Sequence, residues 1–251
     1  MIELKHVDKS FGHKEVLRDV GFRVEDGETL ALIGGSGSGK STLLRLMIGL
    51  DRPTSGEIWV NGTEITQLDE EELDEVRLSM GMVFQYSALF DSMTVGDNVA
   101  FGLREHTDYP EEKIREIIKE KLKLVGLPDA ADMMPGELSG GMKKRVSLAR
   151  ALAFGPSIIF YDEPDSGLDP VMTKKIGELI ISTQKATGVT SVVVTHDMET
   201  ACFVADRIAM LYEGEIIALE KTETFRRLRD PRVRDFLRGF AIEEGDLARD
   251  K

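Results

Sequence analysis

"ALIGGSGSGKST", residues 31 to 42, decides the fold. An apolar run from Thr29 to Ile33 leads into Gly34, four further residues, Gly39, Lys40 and Ser41, and the helical pattern "TLLRLMIGL" follows at once. Strand, glycine loop and helix in that order make a phosphate-binding turn, because glycines let backbone amides converge on an anion at the positive end of a helix. Gly34, Gly35, Ser36, Gly37, Ser38, Gly39, Lys40, Ser41 and Thr42 are therefore expected to line a nucleotide's phosphates. Lys40 should reach the β and γ phosphates, and the Ser41 hydroxyl should bind Mg²⁺.

Further along lie the partners such a loop needs. "SIIFYDEP" reads as a buried strand ending in two carboxylates, and ligands of open α/β sheets bind at such carboxyl ends. Asp162 is expected to hold Mg²⁺ through water, and Glu163 to polarise the attacking water as general base. A second apolar strand, "SVVVTHD", ends at His196, placed to hydrogen-bond the γ phosphate. "MGMVF" delivers Gln85, whose amide can ligand Mg²⁺ and sense the γ phosphate. Phe11, in "KSFGHKE", either stacks on adenine or packs in the core.

Short apolar runs at Thr29 to Ile33, Met80 to Phe84, Ile158 to Tyr161, Ser191 to Val194 and Ile208 to Tyr212 alternate with helical patterns. That alternation predicts an α/β fold with a mostly parallel sheet. The first 30 residues and "SGEIWVNGTEI" read instead as short antiparallel strands forming a side sheet. Residues 1–86 and 155–220 are expected to form the core, with an inserted helical lobe over 87–154 and a helical tail over 221–251. Ile114, Ile117, Ile118, Leu122 and Val125 make one apolar stripe of the lobe. The acidic run Asp69 to Glu75 reads as a solvated first turn of a helix, with cation binding as the alternative. In the tail, "KTETFRRLRDPRVRDFLRGF" is basic and amphipathic, with Pro231 starting a final helix. Docking to a partner is expected of it rather than membrane adhesion, because Glu243, Glu244 and Asp246 follow closely.

"ELSGGMKKRVSLARAL", residues 137 to 152, begins a helix in an unusual way. Lys143, Lys144 and Arg145 stand where the helix dipole disfavours positive charge, and Gly140 and Gly141 leave backbone amides uncovered. This end too is suited to an anion. One chain thus carries two phosphate-seeking helix ends.

Composition sets the outer bounds. With 251 residues, 41% of them apolar, the chain can bury a substantial core. A formal charge of −13 argues against nonspecific binding to nucleic acid or an anionic membrane. The single cysteine, Cys202, excludes an intrachain disulfide and fits a reducing compartment. The N-terminus lacks a signal-peptide pattern, and no run approaches the roughly 18 apolar residues of a membrane helix. Any membrane role is expected to come through a partner.

The glycine loop, Gln85, "LSGGM", "YDEP", "GLDP" and His196, in this order from about Met1 to Leu219, resemble the ATP-binding subunit of an ABC transporter. The resemblance implies a homodimer that sandwiches two ATP molecules with Mg²⁺. It also implies that Ser139, Gly140 and Gly141 contact the γ phosphate of the opposite subunit's nucleotide, with Asp169 in the loop joining the two sites. The second anion-binding end would then serve the other molecule.

Within the family, "IGGSGSGKST", "SALFDSMTVGDNVAFGLREH", "LSGGM" and "GLDPVM" look most like the Mla-type phospholipid transport ATPases. That implies an integral membrane permease, an MCE lipid-binding protein and a small regulatory protein as partners, at the cytoplasmic face of the inner membrane. An importer of amino acids or ions is the alternative, and a non-transport ABC ATPase a more distant one. Met142 replaces the usual signature glutamine, as this subgroup does, whereas Asp165 stands where a small or hydroxyl residue is usual. Leu89, Phe90 and Met93 follow Gln85 into the lobe and are expected either to receive a permease helix or to pack within the lobe.

Overall fold

The computed structural model describes residues 1–239. The chain opens with a hairpin of β1 (Ile2–Phe11) and β2 (Lys14–Val24), then β3 (Thr29–Ile33), the glycine loop and α1 (Lys40–Met47). β4 (Ser55–Val60) and β5 (Thr63–Glu64) turn at Asn61 and Gly62, whose φ values of 50° and 83° are those an Asn-Gly hairpin tolerates easily. α2 (Glu70–Arg77) and β6 (Met80–Val83) lead into the helical segment of α3 (Val95–His106), α4 (Glu111–Leu124) and α5 (Gly140–Ala151). β7 (Ile158–Asp162), α6 (Pro170–Thr187), β8 (Thr190–Val194), α7 (Met198–Val204), β9 (Arg207–Tyr212) and β10 (Glu215–Lys221) follow. α8 (Thr222–Phe225) and α9 (Pro231–Gly239) close the described chain.

The strands form two sheets. One is antiparallel, in the order β2-β1-β4-β5; the other runs β10-β9-β3-β8-β7-β6 and is parallel except for the β10 edge. The expected α/β architecture, with a mostly parallel sheet and an antiparallel side sheet, is the one observed. β3 is buried on both faces, which is why its sequence is apolar without alternation. Leu30 and Leu32 pack with α1 and the side sheet, while Ala31 and Ile33 face Met198, Ala201 and the C-terminal helices.

A second core joins α3, α4 and α5 to the parallel sheet through Val83, Ile159, Tyr161 and Val193. Ile114, Ile118, Leu122 and Val125 are buried in it, and Ile117 packs at its margin. The helical segment therefore has no separate core of its own: its inner helices lie directly on the sheet that carries the site.

Asp69 resolves the acidic run. It caps α2 by accepting from the Glu72 amide at 3.0 Å, while Glu72 accepts from the Asp69 amide, so the carboxylates form a capping box rather than a cation cluster. The apolar face of the tail is covered within the chain. Val233, Leu237 and Phe225 are buried and Phe236 packs beside them, so the apolar face of α9 docks on its own chain, against Ile208 and Met210. Asp230 precedes that helix and accepts from the Arg232 amide and guanidinium, which draw its carboxyl down to about 2. Glu243, Glu244 and Asp246 lie outside the described residues.

Candidate active site

The order β3-β8-β7-β6 sets four parallel strands side by side, so their carboxyl ends form one continuous edge. In that order they deliver the glycine loop, His196, the Asp162–Glu163 pair and Gln85. Residues up to 162 positions apart in sequence, Gly34 and His196, thus meet at the edge where open α/β sheets bind ligands.

Glycine is required where the loop turns. Gly39 has φ 110°, and a Cβ there would lie 2.8 Å from Leu17 Cδ2; a Cβ on Gly34 would lie 2.3 Å from the Leu211 carbonyl oxygen. Gly39 caps α1 without a side-chain hydrogen bond, leaving the first amides of the helix for a ligand. Lys40 is buried and its Nζ donates to the carbonyls of Gly34 at 2.7 Å and Gly35 at 3.1 Å. Burial pushes its pKa down, against the pull of Glu163 and Asp162 in the other direction. Ser38 Oγ is buried without a hydrogen-bond partner among the described residues, whereas Ser41 is exposed at the helix start. A buried cation, uncovered amides and an orphan hydroxyl suit phosphate oxygens, which could satisfy all three.

Opposite the lysine stand the carboxylates. Burial raises the pKa of Asp162, and Lys144 and Lys40 partly offset that rise. Glu163 has φ 46°, the left-handed region that a non-glycine residue enters at a cost of about 1–3 kcal/mol. Its amide donates to the Val194 carbonyl at 2.8 Å, and its Oε2 lies 2.5 Å from His196 Nδ1. Gln85 Nε2 donates to Ser166 Oγ at 3.1 Å, which connects the end of β6 to the loop that follows Glu163. Phe11 is 50% exposed, with Lys9 Nζ 4.7 Å from its ring centroid, so it is not a core residue.

Ser139 caps α5 by accepting from the Met142 amide at 3.3 Å, and Ser139 and Gly140 are exposed while Gly141 is buried. Asp169 caps α6, accepting from the amides of Val171 and Met172 at 3.0 Å each. Lys144 departs from the expectation that the cations of this turn face an anion. It is buried and points into the core, where Nζ donates to the Gln85 carbonyl and to the Glu163 carbonyl. The periodic pattern of the helix gave no hint of this, because a lysine in a basic run reads as solvated.

Asp165 is accommodated by the same arrangement. Its Oδ2 accepts from Thr195 Oγ1 at 2.9 Å and the Lys144 ammonium supplies opposite charge, while Oδ1 is buried without a hydrogen-bond partner among the described residues.

Two further residues shape the segment after Gln85. Arg150 donates to the carbonyls of Ala88 at 2.7 Å and Ser87 at 3.0 Å. Asn98, fully buried, accepts from the Phe90 amide and donates to the carbonyls of Phe90, Met93 and Thr94. Losing one such buried partner costs about 1–3 kcal/mol, so these bonds hold the loop in one shape. Phe90 is 41% exposed, its ring tilted against that of Phe101 with centroids 4.6 Å apart, and Tyr86, four residues earlier, is exposed as well. Leu89, expected like Phe90 either to receive a permease helix or to pack within the lobe, is half-buried against the second core.

Known proteins are similar to this chain in sequence and in fold. The family described as ABC transporter matches residues 17–166. "Probable ribonucleotide transport ATP-binding protein mkl" of Mycobacterium leprae is 44% identical over 250 residues, covering 100% of this chain and 72% of that protein. "Intermembrane phospholipid transport system ATP-binding protein MlaF" of Haemophilus influenzae is 43% identical over 239 residues, covering 95% of this chain and 90% of that protein. A solved dimer of the ATP-binding cassette MJ0796, in a post-hydrolysis state bound to ADP and Pi, superposes with a TM-score of 0.80 at 37% identity, covering 88% of this chain and 99% of that one. The chain belongs to the ABC transporter family, as an ATP-hydrolysing, ATP-binding subunit.

Proposed function

We propose that two copies of this chain close around two ATP molecules and drive phospholipid transport by a membrane permease. The observation that carries the cargo is the likeness to the phospholipid transport protein MlaF, which extends over 95% of this chain and 90% of that protein. A dimeric cassette at 37% identity supports the pairing of copies. An MCE lipid-binding protein and a small regulatory protein complete the proposed assembly, on the cytoplasmic face of the inner membrane. Among the described residues no helix is long and apolar enough to cross a membrane, so the permease provides the path.

At the site, the glycine loop amides and Lys40 hold the β and γ phosphates, and Phe11 offers a ring to adenine. Ser41, Gln85 and Asp162 are oxygen donors of the kind Mg²⁺ takes, and the ion's charge would offset that developing on the phosphate oxygens. Glu163, held at the strand end with His196, takes the proton of the attacking water, and His196 keeps base and γ phosphate in line. Ser139, Gly140 and Gly141 complete the opposite subunit's site, and Asp169 lies between the two. Gln85 passes the nucleotide state to the segment 87–154, which the permease would meet at Phe90.

The test is to purify the native complex from the membrane and identify its cargo by mass spectrometry, then to follow transfer of that cargo between reconstituted vesicles. Phospholipid that moves only with Mg-ATP is expected. A ribonucleotide or an amino acid as the sole cargo would overturn the assignment.

A further inference from the structure

Lys144 lies one turn into α5, yet its ammonium sits among the ends of two neighbouring strands of the catalytic sheet. It donates to the Gln85 carbonyl, beyond the end of β6, and at 3.3 Å to the Glu163 carbonyl, beyond the end of β7. Burying such a cation on two carbonyl acceptors opposes folding unless charge and hydrogen bonds compensate. Compensation comes from Asp165, Asp162 and Glu163, while burial alone depresses the lysine's pKa.

Its position coincides with strain. Glu163 is the acidic residue held at φ 46°, and its peptide is fastened on both sides, by its amide to Val194 and by its carbonyl to Lys144. A left-handed glutamate persists only where its surroundings over-determine it. The same ammonium reaches Gln85, whose side chain contacts Ser166 three residues past Glu163. One cation therefore joins α5, the nucleotide-sensing glutamine and the strained peptide of the proposed base.

We propose that Lys144 is a positioning residue: it holds the Glu163 peptide in its left-handed conformation and links it to α5, so that a nucleotide seated at Ser139 to Gly141 aligns Glu163 for hydrolysis. The inference rests on the reading of Glu163 as general base.

Steady-state and single-turnover hydrolysis of Mg-ATP by the full chain test it, with thermal unfolding and ATP binding as controls. Lys144→Met, which keeps the stem and removes the ammonium, should lower kcat about 10- to 100-fold, the scale of a misplaced reacting group. KM for ATP should stay within about twofold, since the glycine loop is untouched. Lys144→Arg, which keeps charge and donors, should recover most of kcat. In a Glu163→Gln background, Lys144→Met should lower the residual single-turnover rate no further, because it acts through the group already removed. Should Lys144→Met fail to fold, Lys144→Gln, which retains a neutral donor, is measured for the same split.

A kcat near wild type for Lys144→Met, or an additive loss in the Glu163→Gln background, overturns the proposal. Full loss in Glu163→Gln combined with near-normal Lys144→Met sinks the positioning role alone. Near-normal hydrolysis by Glu163→Gln itself removes the general base, and this inference with it.

Discussion

His196 Nδ1 lies 2.5 Å from Glu163 Oε2, joining the carboxyl ends of β8 and β7 across a sheet edge that faces the glycine loop. In the proposed mechanism this pair supplies the carboxylate and imidazole that meet the attacking water. Glu163→Gln keeps shape and hydrogen bonding but removes the base. Turnover should fall by about 10²-fold or more while ATP affinity is preserved, and an ATP-dependent dimer should fail to dissociate. Size-exclusion chromatography with and without ATP, beside phosphate release, reads both effects.

Mixing two defective chains tests the shared site. Lys40→Ala removes the buried phosphate-seeking cation, and Ser139→Arg blocks the exposed start of α5 by bulk. Each homodimer then has two defective sites. In a heterodimer the intact Lys40 of one chain faces the intact Ser139 of the other, restoring one complete site. Purified with two different tags, the heterodimer should release γ phosphate in a single turnover above either homodimer. No such release, despite confirmed heterodimers, would mean that both motifs serve the same chain's nucleotide.

Phe90 is an exposed apolar residue of a loop whose backbone Asn98 holds in place, so its ring can be changed without altering the loop. Phe90→Asp loses its packing on Phe101, worth about 1 kcal/mol, and its contact with the Arg150 guanidinium, 5.9 Å from its ring centroid. ATP affinity should be unchanged, and copurification of the permease should drop sharply. If the free chain unfolds instead, Phe90 belongs to the core and not to the interface.

Asp162 has its pKa raised by burial, so the protonated form is the better tolerated one in the folded state. The sign follows: its contribution to stability is present at low pH and is lost as pH rises through the folded-state pKa. At neutral pH without nucleotide, Asp162→Asn should therefore raise Tm slightly while hydrolysis collapses for want of a carboxylate. Differential scanning calorimetry of both proteins from pH 4 to pH 8 should show the gap in Tm widening with pH. A lower Tm for the variant at pH 7.5 would show that the attraction to Lys40 and Lys144 outweighs desolvation.

The parallel sheet was legible in the sequence because strands buried on both faces must be apolar throughout, and each strand expected from such a run lies within a residue of its observed ends. The glycine loop was legible for a related reason. Its glycines are demanded locally, by the φ of Gly39 and by the closeness of Leu211 to Gly34, so type and spacing survive in the one-dimensional record. Asp69 and Glu72 announced a helix start in the same way, since a capping box is complete within four residues.

Lys144 and α9 were decided by tertiary structure alone. A lysine beside Lys143 and Arg145 carries no sequence mark of burial, and only the approach of α5 to the ends of β6 and β7 supplies the carbonyls and carboxylates that make burial tolerable. The amphipathic face of α9 likewise specifies that something apolar will cover it, without saying whose. Folding against Ile208 and Met210 answers that. Sequence determines what is satisfied by residues near in the chain or by burial itself, whereas the partner of a long side chain or an apolar face depends on which distant segments the fold brings beside it.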